Sequence, residues 1–120
     1  MKFVICGFGS AGYSALMTLK RINPKAEIIV IDPKEKELMH PCGLPYALEG
    51  IVNKEDLTQA IDLARMGVHR IKGKCDKIFP AEKKINVKTG TGIEKIEYNK
   101  LLISTGYEPF SPPIEGLENH

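Results

Sequence analysis

Apolar residues gather in short unbroken runs at Phe3-Val4-Ile5-Cys6, Ile28-Ile29-Val30-Ile31 and Leu101-Leu102-Ile103. Runs of this length without alternation suit strands in the middle of a parallel sheet, covered on both faces. Between the first two runs the spacing becomes helical. Ala11, Ala15, Leu19 and Ile22 form one face of a helix over residues 10–23, which Asn23-Pro24 ends. Parallel strands are therefore expected near residues 2–6, 27–31, 68–71 and 101–104. A second helical signal starts at Asn53, an N-cap with Asp56 at N3. It runs through Leu57, Ala60, Ile61 and Ala64 to Gly67 as the C′ residue. After Gly73 the period changes to two. Residues 74–79, 84–88 and 93–98 read as an antiparallel meander with turns at Pro80-Ala81-Glu82-Lys83 and Thr89-Gly90-Thr91-Gly92. Residues 33–52 are a loop region in which Leu44–Glu49 reads as a short helix with proline in its first turn. Tyr107–His120 is rich in proline and glycine and has no evident packing partner.

The first run leads directly into Gly7-Phe8-Gly9-Ser10-Ala11-Gly12, a G-x-G-x-x-G. In this setting the first glycine makes the turn, the second lets a pyrophosphate approach and the third lets helix and strand lie close. The helix N-terminus then offers free N–H groups to that pyrophosphate. Asp32 stands twenty residues after Gly12, at the carboxyl end of the second strand. That is where a carboxylate takes both hydroxyls of an adenosine ribose. A glycine pattern alone is weak; with the strand, the helix and the acid in place it specifies a dinucleotide site. It does not separate NAD from FAD, but Asp32 would repel the 2′-phosphate of NADP.

Bulk composition adds exclusions. With 120 residues, 42% apolar and 27% charged at a net charge of +2, the chain reads as one domain without a basic field for nucleic acid. No apolar run approaches membrane-spanning length and the chain enters a strand at once, so no membrane contact and a cytoplasmic location are expected. Three cysteines without a C-x-x-C make neither a disulfide framework nor a metal site.

Three motifs resemble the FAD-dependent pyridine nucleotide-disulfide oxidoreductases. They are the glycine fingerprint with Asp32, the stretch His40-Pro41-Cys42-Gly43-Leu44-Pro45-Tyr46, and Tyr98-Asn99-Lys100-Leu101-Leu102-Ile103-Ser104-Thr105-Gly106. The third departs from the family's pattern at Asn99, usually Asp, and at Ser104, usually Ala. Pro112–Leu117 is similar to the family's following link. The resemblance implies an α/β, Rossmann-like FAD/NAD(P)-binding domain. Its parallel central sheet would carry helices on one side and a three-strand antiparallel meander on the other. Residues 1–106 would be the N-terminal segment of the FAD-binding domain and 107–120 a linker toward an NAD(P)H-binding domain. A later G-D segment, a second glycine fingerprint and a dimerisation domain do not occur in these residues, so the chain is expected to be the first segment of a longer oxidoreductase, inactive and weakly flavin-binding alone. The small disulfide, polysulfide or oxygen acceptor and the homodimeric state are expectations of the same kind.

The middle motif is similar to the single-cysteine subgroup: coenzyme A-disulfide reductases, NAD(P)H sulfur and polysulfide reductases, and NADH oxidases. Ala47 stands five residues after Cys42, where a C-x-x-x-x-C pair would have its second thiol. Cys42 precedes the short helix, a position that favours a thiolate, and the resemblance makes it the redox cysteine beside the flavin. His40 either tunes Cys42 or is a solvated loop histidine, and Tyr46 can equally be a packing residue. Cys6 reads as buried and inert. The resemblance gives Gly7, Gly9, Ser10, Ala11, Gly12, Asp32, Pro33, Thr105 and Gly106 to the cofactor; Lys34 either touches its adenosine end or is a surface lysine, and Cys75, more often a packing residue in such a strand, would act only through its backbone toward adenine. Ser14, Thr18 and Arg21 share one helix face, a solvated face in most helices; in the coenzyme A-dependent relatives this face looks toward that ligand, so Arg21 is its candidate phosphate contact. The competing reading is a free-standing adenine-dinucleotide module that acts as a sensor or subunit.

Overall fold

The computed structural model describes residues 1–34, 37–108 and 110–117, and of Glu37 its backbone. The elements are β1 (Lys2–Cys6), α1 (Ser10–Ile22), β2 (Glu27–Asp32), β3 (Glu37–Met39), α2 (Leu44–Leu48), β4 (Thr58–Ala60), β5 (His69–Phe79), β6 (Lys84–Thr89), β7 (Gly92–Glu97) and β8 (Lys100–Ile103). Six strands form one sheet in the order β7-β6-β5-β2-β1-β8. The β5-β2-β1-β8 part is parallel throughout, with Val4 in register with Ile29 and Leu101, and Ile31 with Ile71. The expected four-stranded parallel core is therefore present.

Two apolar layers enclose it. On the α1 side Ile5, Phe8, Leu16, Ile28, Val30, Leu63 and Val68 are buried together. On the other side Val4, Cys6, Ile29, Ile31 and Ile71 meet Ile85 and Val87 of the meander. The alternation of these sets along β1 and β2 is the period-two signature of strands buried on both faces. The face of α1 differs in detail from the expected one. Gly12 and Leu16 are its buried residues, while Ile22 is 68% exposed and Ala11 is exposed too.

Two expectations are corrected. The helix read over Asn53–Gly67 is absent. Asn53 and Asp56 do form the capping box, but the helix they start is a 3-10 turn, Lys54–Leu57. Thr58 leaves it extended and β4 pairs antiparallel with β3, so strand pairing takes the backbone groups a helix would have used. The second correction concerns Gly73, which interrupts nothing. β5 runs unbroken from the parallel sheet into the meander, pairing with β2 at residues 69–72 and with β6 from Gly73 onward. Cys75 thus lies mid-strand, where an irregularity follows it before Lys77. A Cβ at Gly73 would stand 2.7 Å from the Lys88 carbonyl oxygen, so close strand approach is the reason for this glycine.

Lys83, at the end of the β5–β6 turn, has φ +52 and is the one non-glycine in the left-handed region among the described residues. An L side chain there costs of order 1 kcal/mol. Lys83→Gly is expected to raise stability by about 0.5 kcal/mol, after the added unfolded-state entropy offsets part of the relief; urea denaturation measures it. The tail holds exposed Tyr107, Phe110, Ile114 and Leu117. Glu118, Asn119, His120 and Pro109 of the proposed linker lie outside the described residues.

Candidate functional site

The carboxyl ends of β1, β2 and β8 converge on the glycine turn. Gly7 has φ +94, and a Cβ on it would stand 2.3 Å from the Ser104 carbonyl oxygen. A Cβ on Gly12 would meet the Gly7 carbonyl oxygen at 2.2 Å. The fold itself therefore requires both glycines. Gly9 is different. It is the N-cap of α1 at φ −93, a value open to any residue, and among the described residues a Cβ there would meet no atom within 4 Å. Its missing side chain leaves a cradle at the start of a 13-residue helix, where free N–H groups and the helix dipole favour a phosphate.

Asp32 is 4% exposed and closes this turn from the β2 side. Its Oδ2 accepts from the Phe8 N–H at 2.7 Å and its Oδ1 from the Lys34 N–H at 2.8 Å. Two amides against a carboxylate leave further lone pairs for ligand hydroxyls. The residues around the turn that sequence reasoning gave to a dinucleotide are thus brought together: Gly7, Gly9, Ser10, Ala11, Gly12, Asp32, Pro33 and Lys34. Ser104-Thr105-Gly106 joins them through β8, since the Ser104 N–H donates to the Cys6 carbonyl at 2.7 Å. The Ser104 hydroxyl lies 2.9 Å from the Gly7 carbonyl oxygen and 3.1 Å from that of Cys6, and so braces the turn. Asn99, the other departure from the family pattern, accepts from the Lys2 N–H through Oδ1 and returns its own N–H to the Lys2 carbonyl.

Cys42 is exposed and lies in a 3-10 turn, Pro41–Gly43, that runs straight into the five residues of α2. Leu57 supports the turn from below, its Cδ2 only 2.2 Å from where a Cβ on Gly43 would be. The His40 ring lies 3.3 Å from the Gln59 side-chain oxygen. Ser14, Thr18 and Arg21 are all exposed on α1. Ser14 and Thr18 line an open, mainly apolar groove of about 420 Å³ against Phe3, Leu101 and Leu102, which Arg21 does not line.

Sequence reasoning missed a thiol pair. Cys6 and Cys75 face each other between sheet and meander. The hydrogen bond with Cys75 and burial together push the Cys6 thiol far above its ordinary range. The same hydrogen bond, donated by Cys6, lowers the Cys75 thiol despite its partial burial. Only the packing of the meander over the face of β1 that carries Cys6 could have signalled this. Among the described residues, no group of side chains is arranged to hold a metal ion, and no helix is long and apolar enough to cross a membrane.

Comparison with known proteins agrees with this architecture. The sequence profile of the pyridine nucleotide-disulphide oxidoreductases matches residues 1–120. An NADH oxidase of Methanocaldococcus jannaschii is 36% identical over 98% of the chain and 28% of its own length. A coenzyme A-dependent NAD(P)H sulfur oxidoreductase of Pyrococcus furiosus is 35% identical over 98% of the chain and 27% of its own length. The structure of an NAD-dependent persulfide reductase from A. fulgidus superposes with a TM-score of 0.86 at 27% identity, over 98% of the chain and 23% of that protein. The chain thus spans about a quarter of the length of these relatives.

Proposed function

Because the chain belongs to the pyridine nucleotide-disulphide oxidoreductase family, we propose that it is the FAD-binding, redox-cysteine segment of an NAD(P)H oxidoreductase. The whole enzyme would reduce a small disulfide, a polysulfide or oxygen. The observation that carries this reading is Gly9: its open side has no purpose in the packing of the chain and suits an approaching pyrophosphate. The names of the relatives support the acceptor classes, which include sulfur species and oxygen.

In this reading the first turn of α1, with Gly9, Ser10, Ala11 and Gly12, holds the pyrophosphate of FAD. Asp32 orients the ribose hydroxyls, Pro33 and Lys34 flank the adenosine, the Cys75 backbone borders the adenine, and Thr105-Gly106 closes the far side. FAD held there would supply the chemistry of hydride acceptance from NAD(P)H and onward electron transfer. Cys42 supplies the sulfur that exchanges with the acceptor. Coenzyme A is the preferred small thiol, with Ser14, Thr18 and Arg21 as its contacts. The segment by itself is proposed to lack turnover, and the complete protein to be a cytoplasmic homodimer whose partners are small molecules rather than nucleic acid or membrane.

The test is nucleotide affinity. Asp32→Ala removes the charged acceptor of the ribose hydroxyls and is expected to weaken ADP binding by about 1.5–3 kcal/mol, measured by NMR titration. Unchanged affinity would remove Asp32 from the site.

A further inference from the structure

Arg70 lies outside the glycine turn, yet its guanidinium reaches the residues beside Asp32. The side chain is half-buried on β5, in register with Val30 of β2. Its Nη2 donates to the carbonyl oxygen of Lys34, and among the described residues its buried Nε has no hydrogen-bond partner. Lys34 is thereby held on both sides. Its carbonyl is bound by Arg70, and its N–H is bound by Oδ1 of Asp32.

We infer that Arg70 is a positioning residue for the nucleotide site: through Lys34 it fixes the Asp32 carboxylate in the orientation that selects a ribose with a free 2′-hydroxyl. The inference rests on the dinucleotide reading of the glycine turn. Its physical basis is the chain of contacts. The Phe8 N–H fixes only one carboxylate oxygen; the other is fixed by the N–H of Lys34, whose carbonyl, in the next peptide unit, is the group Arg70 holds. Without the guanidinium the Lys34 backbone loses one of its two anchors and can move away with its N–H, and the carboxylate can rotate about its Cβ–Cγ bond. A partly buried cation with an unpartnered N–H contributes little to stability, because its desolvation offsets the bond it makes. Its placement makes sense as a restraint on geometry rather than as a source of stability.

The experiment compares ADP with 2′-deoxy-ADP, titrated into the chain and followed by amide NMR. In the wild type ADP should bind at least about tenfold more tightly, the margin of one hydrogen bond to a charged group. In Arg70→Leu that ratio should fall toward one while 2′-deoxy-ADP affinity stays within about twofold. Arg70→Lys keeps a donor for the Lys34 carbonyl and should keep most of the ratio; it carries the test alone if the leucine variant does not fold. An unchanged ratio in Arg70→Leu, an equal loss of both nucleotides, or a lost ratio in Arg70→Lys overturns the inference. Asp32→Ala separates the two readings. If it collapses the ratio and Arg70→Leu does not, only the role of Arg70 falls. If the wild type shows no ratio, the ribose reading of Asp32 falls with it.

Discussion

Gly9→Ala is expected to fold as the wild type does and to lose nucleotide binding, whereas Gly7→Ala is expected to lose about 2–5 kcal/mol of fold stability. The two glycines stand two positions apart in one turn and differ in what surrounds them. A methyl at Gly7 would sit 2.3 Å from one backbone atom of Ser104 and 2.6 Å from another, in a residue at φ +94. Neither neighbour is the tip of a flexible side chain, so the end of β8 would have to shift. Left-handed strain of about 1–2 kcal/mol adds to an overpacking cost of about 1–3 kcal/mol. Their sum is a large fraction of the stability of a small domain. At Gly9 the methyl enters open space. The small N-cap advantage of glycine over alanine is offset by reduced unfolded-state entropy, which leaves stability within about 0.5 kcal/mol. The methyl would, however, stand where a diphosphate must approach the first turn of α1. Urea denaturation and ADP titration of both variants check the pair. If Gly9→Ala binds ADP as tightly as wild type, the cradle is not a phosphate site.

How much of the fold and site was legible in the sequence depends on the range of the forces involved. Local rules located the glycine turn, α1 and the four parallel strands because Val4, Ile29, Val30 and Leu101 are chosen by burial on both faces of one sheet. Asn53 shows where such rules stop. Its capping box formed as its side chain dictates, yet the backbone beyond Leu57 was decided by the distant partner strand β3. Gly73 was misread for the same reason: a glycine that breaks a strand and one that admits a neighbouring strand look alike until Lys88 is in place. The place of Asp32 beside the glycine turn was readable from its distance to Gly12. The Arg70 contact to Lys34 and the pairing of Cys6 with Cys75 were not, since both join positions far apart in sequence across β5.

That second pairing sharpens what the three thiols should do. Under a thiol reagent at neutral pH, Cys42 is expected to react first, because it is exposed in the turn before α2. Cys75 should follow more slowly. The hydrogen bond from Cys6 favours its thiolate, but the side chain is half-buried against the meander core. Its reaction should also level off at a lower pH than that of a free cysteine, since rate follows thiolate fraction and the thiol is lowered. Cys6 is 1% exposed, with a thiol pushed far above its ordinary range, and should react only when the domain opens. Opening of the core is rarer than about one molecule in a thousand at ordinary domain stability, so the separation between Cys42 and Cys6 should exceed about a thousandfold. Cys42→Ser should abolish the fast phase and leave the other two unchanged. The redox role is then tested with coenzyme A disulfide as oxidant. The Cys42 thiolate attacks one sulfur, the other half leaves as coenzyme A thiolate, and the protein gains one mixed disulfide. Since Ala47 offers no second thiol, that adduct should persist and appear in the intact mass. An adduct found instead on Cys75, or a loss of two hydrogens from a Cys6–Cys75 disulfide with Cys42 left free, would move the redox chemistry from the loop to the sheet.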